Sequence, residues 1–267
     1  MNPSDGTPAV ARQLVLLGLK FNALTLEEAA DAIVTAAKKR QKGLVVTPNV
    51  DHLVMLQTDA DMRSIYQKAA FVFADGMPVI WLSRLTSRSG LPMRVTGADL
   101  LPAVCAVAAK AGVSLFFMGG QPGVADRAAQ NLRAEFPGLR ITGTYCPPMG
   151  FEKDPAETLR MVALVNRLQP GILCFGVGAP KQEKWAAAQL DQLAVGPILC
   201  IGAAFDFAAG TIKRAPKLVQ RFGLEWLWRL SNEPGRLWRR YLLRDSKFLL
   251  LAGREILRAR TGKSRHT

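Results

Sequence analysis

The sequence predicts an α/β fold in which a mostly parallel sheet carries helices on both faces, followed by a basic helical appendage at the carboxyl end. Three observations predict it. Apolar runs of strand length recur along the chain, helical patterns alternate with them, and the charge divides the chain into two unequal parts. The runs are GLVVT (43–47), FVFA (71–74), SLFFM (114–118), GILCFGV (171–177) and PILCIG (197–202). They are continuously apolar rather than alternating, as expected of parallel strands buried on both faces, and this is a Rossmann-like layer architecture.

The helices follow from periodicity and end signals. Thr25-Leu26-Glu27-Glu28 reads as a capping box opening an amphipathic helix, and Lys38, Lys39 and Arg40 suit the negative end of its dipole. A turn is expected at Pro48 and Asn49, and a polar helix from about Thr58 to Ala70. Further helices are expected near 99–111, 122–135, 155–168 and 180–192, and one begins near Pro78.

Composition removes several classes. With 49% hydrophobic and 21% charged residues the chain is neither disordered nor fibrous, and 267 residues suit one large α/β domain or one domain with an appendage. No apolar run approaches the roughly 18 residues of a membrane-spanning helix. The first ten residues hold an acid and no Lys or Arg, so they do not read as a secretory signal, and cytoplasmic residence is expected. Cys105, Cys146, Cys174 and Cys200 have no C-x-x-C spacing and read as core thiols. Two histidines, His52 and His266, are too few for zinc or serine-triad chemistry.

Charge is the feature that divides the chain. Residues 1–212 hold 20 basic and 17 acidic side chains, whereas 213–267 hold 15 and 4, so the tail carries +11 of the net +14. Trp226, Trp228 and Trp238 lie in that tail among arginines. Near-neutral body and basic aromatic tail are therefore read separately.

Ligands of such sheets bind beyond the carboxyl ends of the strands, so the residues just after each apolar run should converge on one rim. In MGGQPGVADRAA, Gly119 and Gly120 lie between strand and helix, where backbone N–H groups can face a phosphate at the helix amino terminus; a plain tight turn is the alternative. GVGAPKQEKW gives a second such turn with Lys181 and Gln182 at the helix start, though it lacks the third glycine of a dinucleotide-binding fingerprint. Asp75, in FVFADGMP, comes directly off an apolar strand, where a carboxylate can accept the proton of an attacking hydroxyl; capping the next helix is the other role open to it. Asp59-Ala60-Asp61 has the D-x-D form of a metal site but sits at a helix start, where acids favour the dipole, so no bound metal and no cofactor are expected.

TPNVDHL with FADGMPVIW, then GGQPGVADRAA, GVGAPKQEKW, GAAFDFAAGTIKRAP and GLEWLWRL-x-x-EP-x-RLWRRY, in this order, resemble the WecG/TagA/CpsF family of bacterial glycosyltransferases over about residues 13–250. The resemblance implies an inverting, metal-independent transferase. It would move an N-acetylmannosamine-type sugar or related hexose from a UDP-sugar donor to a polyprenyl-diphosphate-linked saccharide acceptor, in cell-surface polysaccharide synthesis. It implies Asp75 as general base, with Thr47 and Asn49 beside it near the sugar and acceptor hydroxyl, and Gln182 at the sugar. Arg229, Arg236 and Arg239 are implied to close over the donor diphosphate, and Asp206 to lie near the nucleotide. The division expected is a flexible 1–12, a Rossmann-like catalytic body 13–212, and a membrane-associating appendage 213–267.

The chemistry asks for such a set. Displacing UDP from an anomeric carbon needs a base and compensation for charge on the leaving diphosphate, and guanidinium meets phosphate in a fork. The tail also has a membrane reading. Leu218, Phe222, Trp226 and Leu230 recur by fours, and Trp238, Tyr241, Leu242, Phe248 and Leu249 form a second stripe. Arg236, Arg240, Arg244 and Lys247 line a basic face. Trp on one side and cations on the other suit an anionic bilayer surface, which places the protein peripherally on the inner face of the cell membrane. A solvated basic face is the blander alternative, and no groove-reading or base-stacking motif points to nucleic acid. A non-catalytic Rossmann-like protein that binds membrane or nucleic acid through its tail is the competing function. A homo-oligomer, the donor sugar and the acceptor saccharide are left open.

Overall fold

The computed structural model describes residues 12–212, 214–216, 225–232 and 245–261, with residues 219, 235 and 238 between them. A hairpin of β1 (Gln13–Leu16) and β2 (Leu19–Asn22) precedes α1 (Leu26–Lys38), which opens on the Thr25–Glu28 capping box. Then follow β3 (Gly43–Val46), α2 (Val50–Met55), α3 (Ala60–Lys68), β4 (Phe71–Val72), α4 (Met77–Thr86) and α5 (Gly97–Ala111). Next come β5 (Ser114–Gly119), α6 (Val124–Glu135), β6 (Arg140–Tyr145), a 3-10 turn at Phe151–Lys153, α7 (Pro155–Leu168) and β7 (Ile172–Gly176). The described chain ends with α8 (Lys181–Gln189), β8 (Pro197–Cys200), α9 (Ala204–Ala209), α10 (Glu225–Asn232) and α11 (Lys247–Arg260).

Six strands form one sheet in the order β4-β3-β8-β7-β5-β6, and every pair is parallel. Side chains alternate between its two covered faces. Val45, Leu115, Phe117, Ile172, Cys174 and Leu199 enter the core shared with α1, α5, α6 and α9. Val46, Phe116, Met118, Leu173, Phe175 and Ile198 enter the opposite core, shared with the hairpin, α2, α3, α4, α7, α8 and α11. Both faces are dry, which is why these strands are continuously apolar. All four cysteines are free, and Cys105, Cys174 and Cys200 are buried.

The structure adds elements that the sequence does not announce, β6, the β1–β2 hairpin, α2 and α9 among them. β6 pairs with β5 at the sheet edge, and its half-polar sequence RITGTY has no continuous apolar run to mark it. The β1–β2 hairpin turns on Leu17 and Gly18, both at positive φ. The stretch after Asn49 is helix α2 rather than a turn alone, and the helix expected from about Thr58 is capped by Asp59 and begins at Ala60.

The carboxyl-terminal helix is fastened to the body. Phe248 is buried in the second core, Leu251 and Ile256 pack against that core, and the Leu17 N–H donates to Glu255 Oε1 at 3.1 Å. α11 lies against α2 and α4. Phe248→Ala should therefore cost about 3–5 kcal/mol as a large-to-small core change. Its urea midpoint should fall, and amide exchange should accelerate in α11; an unchanged midpoint would contradict this packing.

Candidate functional site

The rim is built first by β3 and β4. The Phe73 N–H donates to Val46 O and the Asp75 N–H to Pro48 O, each at 3.0 Å, so the parallel pairing continues past the two residues of β4. That ladder sets Asp75 opposite Pro48, between Thr47 and Asn49. Thr47 is buried and Asp75 half-buried. Asn49 is the N-cap of α2, its Oδ1 accepting from the His52 N–H at 3.2 Å. The N-cap of α4 is Gly76 rather than Asp75, at φ +109° in a region that favours glycine. Asp75 thus precedes the N-cap position by one residue.

Glycines then bring β5, β7 and β8 together. A Cβ on Gly119, at φ +124°, would lie 2.3 Å from Gly176 O, and one on Gly176 would lie 2.7 Å from Gly202 O. The Gly120 N–H is spent on Gly176 O at 2.8 Å. The N-cap residues of α6 and α8, Gly123 and Pro180, make no side-chain cap bond to their helix starts.

Gln182 ties two of these loops to each other. Its Oε1 accepts from the N–H groups of Gly178 and Gly202, both at 3.1 Å, and its Nε2 donates to Glu183 Oε1 at 2.9 Å. The Tyr66 hydroxyl also donates to that Glu183 oxygen at 3.3 Å and lies 3.2 Å from His52 Nδ1. Burial pushes the Glu183 carboxyl up, against the hydrogen bonds from Gln182, its own backbone and Tyr66. Its neighbour Lys181 turns to Glu152 in the 3-10 turn, at 2.7 Å.

A second cluster flanks Asp75. Arg214 forks onto Asp99, Nη1 to Oδ1 at 2.5 Å and Nη2 to Oδ2 at 2.8 Å, with Nη2 also 3.4 Å from Thr96 Oγ1. Glu225, the first residue of α10, accepts from Arg94 Nη1 at 2.8 Å and lies 3.7 Å from Arg214 Nε. Burial acts to raise the Asp99 carboxyl, but the bonds and charge of Arg214 outweigh it and hold it below the usual range. Burial works against the Arg214 charge, yet Asp99 first, then Glu225 and Asp75, hold the guanidinium above its ordinary value. Arg214 is thus within electrostatic reach of Asp75, and its guanidinium lies 6.0 Å from the Phe207 ring. Asp206, in the first turn of α9, receives the Thr211 hydroxyl at 3.4 Å.

The structure thus gathers Thr47, Asn49, Asp75, Gly119, Gly120, Gln182 and Asp206 at the carboxyl ends of the strands. Arg229 lies on α10, its side chain outside the described residues, and Arg236 and Arg239 fall outside them altogether. Of the Asp59-Ala60-Asp61 pair, Asp59 caps α3 and meets Lys184 at 2.8 Å, as a helix start would have it. Among the described residues no group of three His, Cys, Asp or Glu side chains converges as a metal site. Sequence reasoning missed Arg94, Thr96, Asp99, Arg214 and Glu225. Arg214 lies in the GTIKRAP segment, and Thr96-Gly97-Ala98-Asp99 is a helix-start pattern.

A parallel sheet covered on both faces makes this an α/β protein of the class in which ligands bind beyond the carboxyl ends of the strands. The family described as glycosyl transferase WecG/TagA/CpsF matches residues 14–262, and the chain belongs to that family. It is a glycosyltransferase of cell-surface polysaccharide synthesis, a class that takes a sugar donor and a lipid-linked acceptor.

Two outcomes follow from this geometry. Gln182→Ala strands two backbone N–H groups and should lower stability by about 2–4 kcal/mol, read as a urea midpoint. The Asp99 carboxyl is depressed in the folded state, so its contribution is complete above the unfolded value of about 4 and is lost as pH falls through the folded value. The stability difference between wild type and Asp99→Asn should accordingly shrink as the pH drops below about 4; a constant difference would refute the Arg214 pairing as its source.

Proposed function

We propose that the enzyme is an inverting, metal-independent transferase that moves an N-acetylmannosamine-type sugar or related hexose from a UDP-sugar to a polyprenyl-diphosphate-linked saccharide. It uses no cofactor, works as a peripheral protein on the inner face of the cell membrane, and does not bind nucleic acid. The observation that carries this reading is Asp75, held by Pro48 O at the same strand-end rim from which α6 and α8 start uncapped.

The acceptor hydroxyl gives its proton to the Asp75 carboxylate as its oxygen attacks the anomeric carbon. The bond from that carbon to the UDP oxygen breaks on the opposite side, and its electron pair leaves with the diphosphate. One displacement inverts the anomeric centre. Charge growing on the diphosphate meets the positive ends of α6 and α8 and the arginines that the tail supplies, Arg229, Arg236 and Arg239. Gly119 and Gly120 keep the α6 start open, Lys181 and Asp206 border the nucleotide, and Thr47, Asn49 and Gln182 shape the sugar pocket. Gln182 acts there through the Gly178 and Gly202 turns that it holds.

Asp75→Asn preserves shape and removes the base. It should retain folding and UDP binding while turnover, read as UDP release with a short-chain polyprenyl-diphosphate N-acetylglucosamine acceptor, falls by about 10²–10⁴. Undiminished turnover would sink the base assignment.

A further inference from the structure

α4 begins two residues after Asp75, and one of its faces is apolar and uncovered. Val79, Ile80 and Leu82 are buried, while Trp81 is 47% and Leu85 68% exposed. Pro78, Trp81 and Leu85, at i, i+3 and i+7, form a stripe that runs from the Asp75 end of the helix outward. Trp81 lies four residues into α4 from Met77, about 6 Å along the axis at 1.5 Å per residue. α4 contains no acid, and Arg84 and Arg88 are exposed beside the stripe.

α11, which lies against α4, repeats the pattern. Its body face is Phe248, Leu251, Ala252 and Ile256, yet Leu249, Leu250 and Leu257 on the other side are 74%, 67% and 63% exposed. A surface helix ordinarily has one apolar face, and α11 has two. Lys247, Arg254, Arg258 and Arg260 are exposed around the outer leucines. Glu255, the one acid of the helix, faces inward to the Leu17 N–H, with Arg258 3.8 Å from its second oxygen. The two outer faces therefore offer Trp, Leu and cations with no outward carboxylate.

We propose that the outer faces of α4 and α11 are one docking surface for an anionic lipid bilayer. Membrane contact is then shared by the appendage with a helix of the body. The occupant follows from charge and side-chain type: Trp and Leu enter the interfacial region while Lys and Arg meet anionic headgroups. The inference rests on the lipid-linked acceptor of the proposed function and deepens it. Because α4 starts two residues after Asp75, a bilayer under Trp81 and Leu85 would bring the diphosphate headgroup of the acceptor to the base.

The test uses the full chain and vesicles of phosphatidylcholine with or without phosphatidylglycerol. Wild type should sediment with the anionic vesicles. Trp81→Ser/Leu85→Ser, at exposed positions that leave the fold intact, should weaken that binding by about tenfold or more. Leu249→Ser/Leu250→Ser/Leu257→Ser should do the same. Both variants should keep turnover on a water-soluble short-chain acceptor and show a raised KM for a long-chain acceptor embedded in vesicles. Unchanged vesicle binding in the α4 variant overturns the proposal, and a fall in molecular mass in that variant would assign the face to a second copy of the chain. Vesicle binding is read without sugar transfer, so a wild type inactive on every acceptor would defeat the functional reading and leave this surface independently measured.

Discussion

The rim exists because three strand ends touch backbone to backbone. Gly119 and Gly176 leave no volume between the ends of β5, β7 and β8, since a Cβ on Gly119 would meet Gly176 O at 2.3 Å and one on Gly176 would meet Gly202 O at 2.7 Å. The turns after β7 and β8 carry the Gly178 and Gly202 N–H groups beyond the strand pairing, and Gln182 answers both with one oxygen. The clamp in turn requires Gln182 to be oriented, and Glu183, Tyr66 and His52 supply a chain of partners running back under α2. Burial pushes the Glu183 carboxyl up, while the hydrogen bonds of this chain act in the opposite sense. The glycine loops and the polar network are thus one device for setting the positions of helix starts.

Electrostatics completes the rim from the other side. Asp99, Arg214, Glu225 and Arg94 alternate in sign, each with a side chain between 16% and 27% exposed. In that setting an isolated charge is costly and a paired one is held in place by its neighbours. Glu225 belongs to α10, so the charges of the body fix the start of the helix that carries Arg229. Since Asp75 is among the charges Arg214 feels, the fastening of the tail and the field at the carboxylate are coupled.

Much of this was legible in the sequence. Five of the six sheet strands declare themselves because burial on both faces makes them continuously apolar, and the loops after them must share a rim, which is how Asp75, Thr47 and Asn49 could be placed together. β6 escaped because an edge strand with one polar face has no such run. The polar contacts escaped for a different reason. Asp99 pairs with Arg214 across 115 residues and Tyr66 with Glu183 across 117, and neither composition nor spacing encodes which distant side chains the topology will bring together. Asp59 illustrates the reverse: a local rule, acids at helix starts, was sufficient to read it.

The charge asymmetry gains a spatial meaning from the packing. In the sequence the basic excess begins only after residue 212, which invites a picture of a neutral enzyme with a sticky tail. In three dimensions α11 is seated on α4 and α2, the two helices whose amino ends flank the β3–β4 rim. The exposed cations of α11 thus sit on a helix packed against the one that carries exposed Arg84. A lipid-linked acceptor has its reactive sugar within a diphosphate's reach of the headgroups, so an enzyme for it gains most when its base lies close to the surface that meets the bilayer. On the proposed reading, packing the basic helix against the helix that starts two residues after Asp75 meets that requirement, and among the described residues no helix is long and apolar enough to cross a membrane.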